Sequence, residues 1–236
     1  MFKNKKAVIF DMDGTLIDSV GVWNEVDRLL ISEIRQDGKQ EEENYQQQRD
    51  FQLRRFAATE NPYLSYCAFL KDKYLSVLSA EEIHNRRYDI AQDYLRSTVD
   101  YKPFADIFIR RLKDQGLTLV IASTTRGGNM NIYKKENANI LSKAPLDEYF
   151  SLIYTREDAK EIKPHPEIYF KVMRTLGLLP EECLVIEDSL IGVEAAKSAG
   201  IEVAVIYDKY SDEQRSAINA AADYIFADYK EMLALI

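Results

Sequence analysis

Cysteine is sparse in this 236-residue sequence. Only Cys67 and Cys183 occur, too few for a disulfide framework or a cysteine-rich metal site. Cys183 opens an apolar run and reads as a small buried hydrophobe. Long hydrophobic runs are lacking too: none approaches ~18 residues, so no membrane span is expected. The first apolar run reaches an acidic cluster within four residues, too short for a signal-peptide core, and a cytoplasmic location is expected. Positive charge is in deficit, with 31 basic against 39 acidic residues and a net charge of −8. That balance argues against nucleic acid as the main partner. Small phosphorylated ligands stay open, because a bound cation or a few lysines reverse a local field.

What is present is ordinary for a soluble globular protein: 46% hydrophobic and 30% charged residues. One or two domains are expected at ~150 residues each. Short apolar runs rich in β-branched residues recur at Ala7–Phe10, Leu117–Ala122, Leu152–Tyr154, Leu184–Ile186, Val203–Tyr207 and Tyr224–Phe226. Helical patterns separate the later ones, at Phe104–Gln115, within Asn129–Leu141, and at Pro166–Leu176 and Leu190–Ala199. Gly177 and Gly200 supply stop signals for the last two. Strand–helix–strand alternation with apolar strands predicts an α/β fold, a Rossmann-like, doubly wound parallel sheet. Residues 17–100 break the pattern, with no convincing second strand and no glycine between Gly38 and Gly116. They read as a mostly helical insertion, far beyond the 2–6 residues of an ordinary βα connection. The expected division is a core of residues 1–16 and 101–236 with a helical cap at 17–100. The acidic, glutamine-rich run Gln40–Gln48 reads as a solvated helix face.

Four stretches carry the chemistry. The first strand runs into Asp11-Met12-Asp13-Gly14-Thr15, a pattern expected by chance in about three chains per thousand of this length at average composition. Alternation along a strand aims Asp11 and Asp13 to one side. Two such carboxylates repel unless a cation sits between them. Gly14 lets the chain turn sharply on leaving the strand. The second core strand ends at Ser123, followed by Thr124 and Thr125; a hydroxyl there serves either an anionic oxygen or a helix cap. Lys163-Pro164-His165-Pro166 follows the third strand and reads alone as a surface turn or an anion contact. The fourth strand ends in Glu187-Asp188-Ser189, adjacent acids that suit a hard cation. In a sheet of order 3-2-1-4-5, Asp11, Ser123 and Asp188 all lie at carboxyl ends around the switch point, where such folds bind ligands. Carboxylates, one ammonium and one hydroxyl then converge, a set that suits Mg²⁺ and phosphate.

The stretches FDMDGTLIDS (10–19), VIAST (120–124), KPHPEIY (163–169) and VIEDSLIGVEAAKSAG (185–200) resemble, in order, the four motifs of the haloacid dehalogenase-like (HAD) superfamily. The branch it resembles carries a helical cap after the first motif. The resemblance implies that Asp11 is the nucleophile that forms an aspartyl-phosphate. It implies that Asp13 is general acid, then base. Asp11, Asp188 and the Asp13 carbonyl would hold Mg²⁺, with Glu187 supporting through a water. Ser123, or Thr124 one residue on, and Lys163 would bind the transferring phosphoryl group. Family members that attack carbon or cleave phosphonates generally lack an acid two residues after the nucleophile, and Asp13 sets those readings aside.

The chain departs from the resembling β-phosphoglucomutases, which carry a histidine near the start of the cap. Trp23 stands there, and the only histidines are His84 and His165. Trp23 stacks on a leaving group or packs under the cap. Arg54 and Arg55 are candidates for a second anion contact or a solvated helix face, and His165 reads as a turn residue. The segment Gly127–Leu146 is longer than the family usually needs. The expectation is a Mg²⁺-dependent phosphatase of a small phosphorylated metabolite, with a sugar phosphate as substrate. It is expected to be a monomer or homodimer, with neither nucleic acid nor membrane as partner. The alternatives are a β-phosphoglucomutase-like phosphotransferase and a catalytically silent phosphate-binding module.

Overall fold

The structure, a computed structural model, describes residues 1–37, 45–56 and 59–236. They form two units, Met1–Ser19 with Arg96–Ile236, and Val20–Leu95.

The larger unit is built on six strands: β1 (Ala7–Phe10), β2 (Thr118–Ala122), β3 (Leu152–Tyr154), β4 (Cys183–Glu187), β5 (Glu202–Ile206) and β6 (Tyr224–Phe226). They form one parallel sheet in the order β3-β2-β1-β4-β5-β6. The α/β expectation is met, with each strand within one residue or so of its apolar run. Ala7 and Ile9 share one face with Val120, Ala122, Cys183, Val185, Val203 and Val205. That face packs under Ile168, Tyr169, Val172, Val193, Ala196 and Ile218. Phe10 points the other way, at 6.3 Å from Phe108 and 5.8 Å from Phe150, with Tyr229 5.2 Å from Phe108. Both faces of β1 are therefore covered, which is why Ala-Val-Ile-Phe is apolar throughout rather than alternating.

In the smaller unit α1 (Val22–Ile34), α2 (Tyr45–Arg55), α3 (Pro62–Tyr74) and α4 (Ala80–Ser97, whose last two residues fall in the larger unit) supply all the regular structure among the described residues. Asn61 caps α3 by accepting from the Leu64 amide at 3.1 Å, with Pro62 at the first helical position. The core of this unit holds a buried carboxylate. Asp27 Oδ2 accepts from Arg49 Nη1 and Oδ1 from Arg87 Nε, each at 2.7 Å. Both arginines are themselves buried.

The remaining helices are α5 (Ala105–Asp114), α6 (Gly127–Lys135), α7 (Ala138–Lys143), α8 (Leu146–Tyr149), α9 (Glu167–Leu176), α10 (Leu190–Ser198), α11 (Arg215–Ala221) and α12 (Tyr229–Leu233). Gly177 and Gly200 follow α9 and α10 with φ of 66° and 75°, as their stop signals predict. The single helical pattern read within 129–141 is two helices instead. Asn137 breaks it by accepting from the Ile140 amide at 2.9 Å and donating to the Val99 carbonyl at 2.9 Å. The stretches Leu16–Ile17 and Asp100–Lys102 lie side by side, with Asp18 N donating to Asp100 O and Lys102 N to Leu16 O.

Candidate active site

The parallel register sets the carboxyl ends of β1, β2 and β4 next to one another. Asp11 follows β1, and its amide donates to the Ile186 carbonyl at 3.0 Å, so the ladder continues one residue past the strand. Glu187 ends β4 and Asp188 follows it. Asp11, Glu187 and Asp188 each present an oxygen within 4.8 Å of the others, and all three are buried. Gly14, with φ of 83°, turns the chain out of β1 immediately after Asp13.

Lys163 is the counter-charge. Its Nζ lies 2.7 Å from Asp11 Oδ1 and 2.6 Å from Glu187 Oε1, over the Tyr169 ring at 5.3 Å. Burial opposes its charge, but Asp11 and Glu187 outweigh burial and hold the ammonium well above the ordinary lysine value. The second oxygen of Glu187 accepts from the Asp188 and Ser189 amides and from Ser189 Oγ, at 3.0–3.2 Å. Glu187 is thus tied to the start of α10 on one side and to Lys163 on the other. Gly192 makes room for it, since a Cβ there would lie 1.9 Å from the Glu187 carboxyl carbon.

Three carboxylates facing one ammonium leave an excess of negative charge. Burial first, opposed by Lys163 and reinforced by Glu187, pushes Asp11 up to about 7. Burial, with Glu187 and Asp11 next, raises Asp188 well above the carboxylate range. Thr15 Oγ1 donates to Asp188 Oδ1 at 2.8 Å and Ser211 Oγ to Oδ2 at 3.3 Å. A buried all-oxygen donor set with more carboxylates than ammonium groups fits a hard divalent cation such as Mg²⁺.

Asp13 sits in a separate cage of hydroxyls. Its Oδ1 accepts from Ser19 Oγ at 2.5 Å and from Tyr133 OH at 3.4 Å, and its Oδ2 accepts from Thr125 Oγ1. Thr125 Oγ1 in turn lies 2.9 Å from Ser123 Oγ, which also accepts from the Thr125 amide at 3.1 Å. Ser123 is buried at the end of β2, whereas Thr124 is exposed. The chain bends here, with the Thr125 amide turned back onto Ser123 Oγ, so that Thr125 lies beside Ser123 while Thr124 is exposed. Thr125 and Tyr133 are site residues that the sequence reading did not single out. The i, i+2 spacing from Ser123 was a usable signal for Thr125; for Tyr133 the sequence holds none.

In the smaller unit the guanidinium of Arg87 lies 5.2 Å from the Trp23 ring and 5.4 Å from the Tyr63 ring. Arg55 is exposed, beside the Phe51 and Phe56 rings and 3.2 Å from Gln52 Oε1. The Arg54 side chain lies outside the described residues, as does most of Gln40–Gln48. Among the described residues, the buried arginines of this unit are Arg49 and Arg87, and the sequence singles out neither. His165 Nδ1 accepts from the Glu167 amide at 3.2 Å in an exposed turn.

A doubly wound parallel sheet with acids converging at its switch point defines an α/β protein with a candidate cation and ligand site at the strand ends. Residues 5–200 match the model of the haloacid dehalogenase-like hydrolases, and the chain belongs to that family. It is 30% identical to the Phosphorylated carbohydrates phosphatase of Thermotoga maritima over 84% of this chain and 82% of that protein. Protein CbbY of Rhodobacter capsulatus is also 30% identical, over 94% and 93%. A crystal structure from Thermotoga maritima, provisionally described as a beta-phosphoglucomutase, superposes with a TM-score of 0.72 at 27% identity, covering 94% of each chain. No helix among the described residues is long and apolar enough to cross a membrane.

Proposed function

We propose that this hydrolase is a Mg²⁺-dependent phosphatase of small phosphate monoesters that works through an aspartyl-phosphate. The observation that carries the reading is the placement of Asp11. It stands at the end of the central strand, paired with Lys163 at 2.7 Å and grouped with Glu187 and Asp188. In this reading an Asp11 oxygen attacks phosphorus and the ester P–O bond breaks. Asp13, two residues on, protonates the departing alcohol and then takes the proton of the water that hydrolyses the acyl phosphate. Lys163 and Ser123 bind the equatorial phosphoryl oxygens, where charge spreads in the transition state. Glu187 keeps Lys163 charged and aimed rather than touching substrate. Mg²⁺ held by Asp11, Asp188 and the Asp13 carbonyl supplies charge neutralisation and orientation of the phosphoryl group.

The similarity to the Phosphorylated carbohydrates phosphatase supports a phosphorylated carbohydrate as substrate. Trp23 in place of a cap histidine supports hydrolysis over mutase chemistry. Its ring is already engaged by Arg87 at 5.2 Å, and an indole has no proton to exchange with substrate in the way an imidazole has. The smaller unit, residues 17–100 in the sequence reading, is the cap in this proposal, and the protein works in the cytoplasm.

Phosphate release from a panel of sugar phosphates and nucleotides, with and without Mg²⁺, tests the reading. Release is expected for sugar phosphates, to require Mg²⁺, and to vanish in Asp11→Asn, which keeps the shape and removes the nucleophile. Isomerisation of a sugar phosphate without release would replace it by the mutase. Binding of phosphate with neither reaction would leave the silent module.

A further inference from the structure

The segment between β2 and β3 carries α6, α7 and α8, a length that the catalytic scheme does not use. Tyr133 lies on α6 and is about 99% buried. Its hydroxyl reaches Asp13 Oδ1 at 3.4 Å, the oxygen that also accepts from Ser19. We propose that Tyr133 is a positioning residue for general acid–base catalysis, and that α6 brings it to Asp13. The inference rests on the reading of Asp13 as the acid that protonates the leaving alcohol.

The geometry gives the hydroxyl a defined job. Asp13 lies only partly buried in the bend after β1, and no cation among the groups described touches it. Hydroxyls from three different segments set the direction of its carboxyl: Ser19, Thr125 and Tyr133. Ser19 lies six residues from Asp13 on the same loop. Tyr133 is anchored independently, since α6 is followed by the Asn137 cap, which is itself bonded to Val99. The phenol is the donor in this pair, since a carboxylate oxygen accepts. Removing this donor leaves Ser19 alone on Oδ1 and Thr125 on Oδ2, which loosens the carboxyl about its last torsion, and proton transfer is sensitive to that direction.

The experiment is leaving-group release in the first turnover, before hydrolysis of the phosphoenzyme contributes. Wild type, Tyr133→Phe and Asp13→Asn are compared on glycerol 3-phosphate, whose alkoxide needs a proton, and on p-nitrophenyl phosphate, whose phenolate does not. Tyr133→Phe keeps the buried ring, and a thermal melt checks that it folds; Tyr133→Met, also without a hydroxyl, serves if it does not. The expected result is a roughly tenfold slower release from the alkyl ester, the scale of one lost hydrogen bond to a charged group. KM and release from the aryl ester should stay within about twofold, against a larger loss of the same pattern in Asp13→Asn, on the scale of general acid catalysis. Equal losses on both esters, or none, in Tyr133→Phe while Asp13→Asn discriminates would overturn the role of Tyr133 alone. Absence of discrimination in Asp13→Asn would overturn the reading of Asp13 and this role with it.

Discussion

Asp11 titrates at an unusual place because of what surrounds it. Burial is the largest influence, and Lys163 only partly offsets it, since that ammonium is shared with Glu187. The sign of the pH effect follows. A carboxyl pushed up to about 7 in the fold, against ~3.9 in the unfolded chain, adds stability that is complete below about pH 4 and lost as pH rises through about 7. In metal-free protein the melting temperature of wild type, relative to Asp11→Asn, should therefore fall between pH 4 and 7.5. Saturating Mg²⁺ should flatten that fall, because the cation takes the place of the proton. A pH-independent difference in the metal-free protein would show that Asp11 is not perturbed. At this scale the sequence was informative about which acids matter, because Asp11, Asp13, Glu187 and Asp188 stand in two short motifs at predicted strand ends. It could not show that Glu187 turns back onto Lys163 and the start of α10, which depends on the path of the helix after β4.

Elements explain why those side chains stay put. Helix α10 starts so close to Glu187 that position 192 has no room for a Cβ, with 1.9 Å to the carboxyl carbon. Gly192→Ala should displace the Glu187 carboxylate from the Ser189 amide and from Lys163. A disturbed buried ion pair costs several kcal/mol, and about 3 kcal/mol is expected here, together with a marked loss of phosphatase activity. Chemical denaturation and turnover measured on the same preparation check this. Full activity in the variant would mean that α10 shifts without cost. The strand elements were readable in advance because parallel strands covered on both faces are continuously apolar. The helix boundary at Asn137 was not: the apolar spacing runs through it, and the break comes from a side chain that caps α7 while holding a carbonyl some forty residues earlier in the chain. No local pattern marks Tyr133 for the same reason, since its direction depends on where α6 ends.

The whole molecule is two units, the larger organised by a sheet and the smaller by a charged triad. Asp27 is fully buried between Arg49 and Arg87. Taking away a partner from such a group leaves buried charge uncompensated and costs about 3–5 kcal/mol. Asp27→Ala should accordingly lower amide-exchange protection across α1, α3 and α4 while β1, β2 and β4 keep theirs. Equal loss in both units would show that the chain unfolds as a single cooperative body. The sequence by itself determined the sheet, the order of its strands along the chain, the mostly helical character read for residues 17–100 and the acids that gather at the strand ends. These follow from local periodicity and from motifs a few residues long. Tertiary structure alone decided which of the described arginines of the helical unit are buried and that Tyr133 reaches Asp13. Each of those depends on where one element lies against another, over separations that no local pattern of residues encodes.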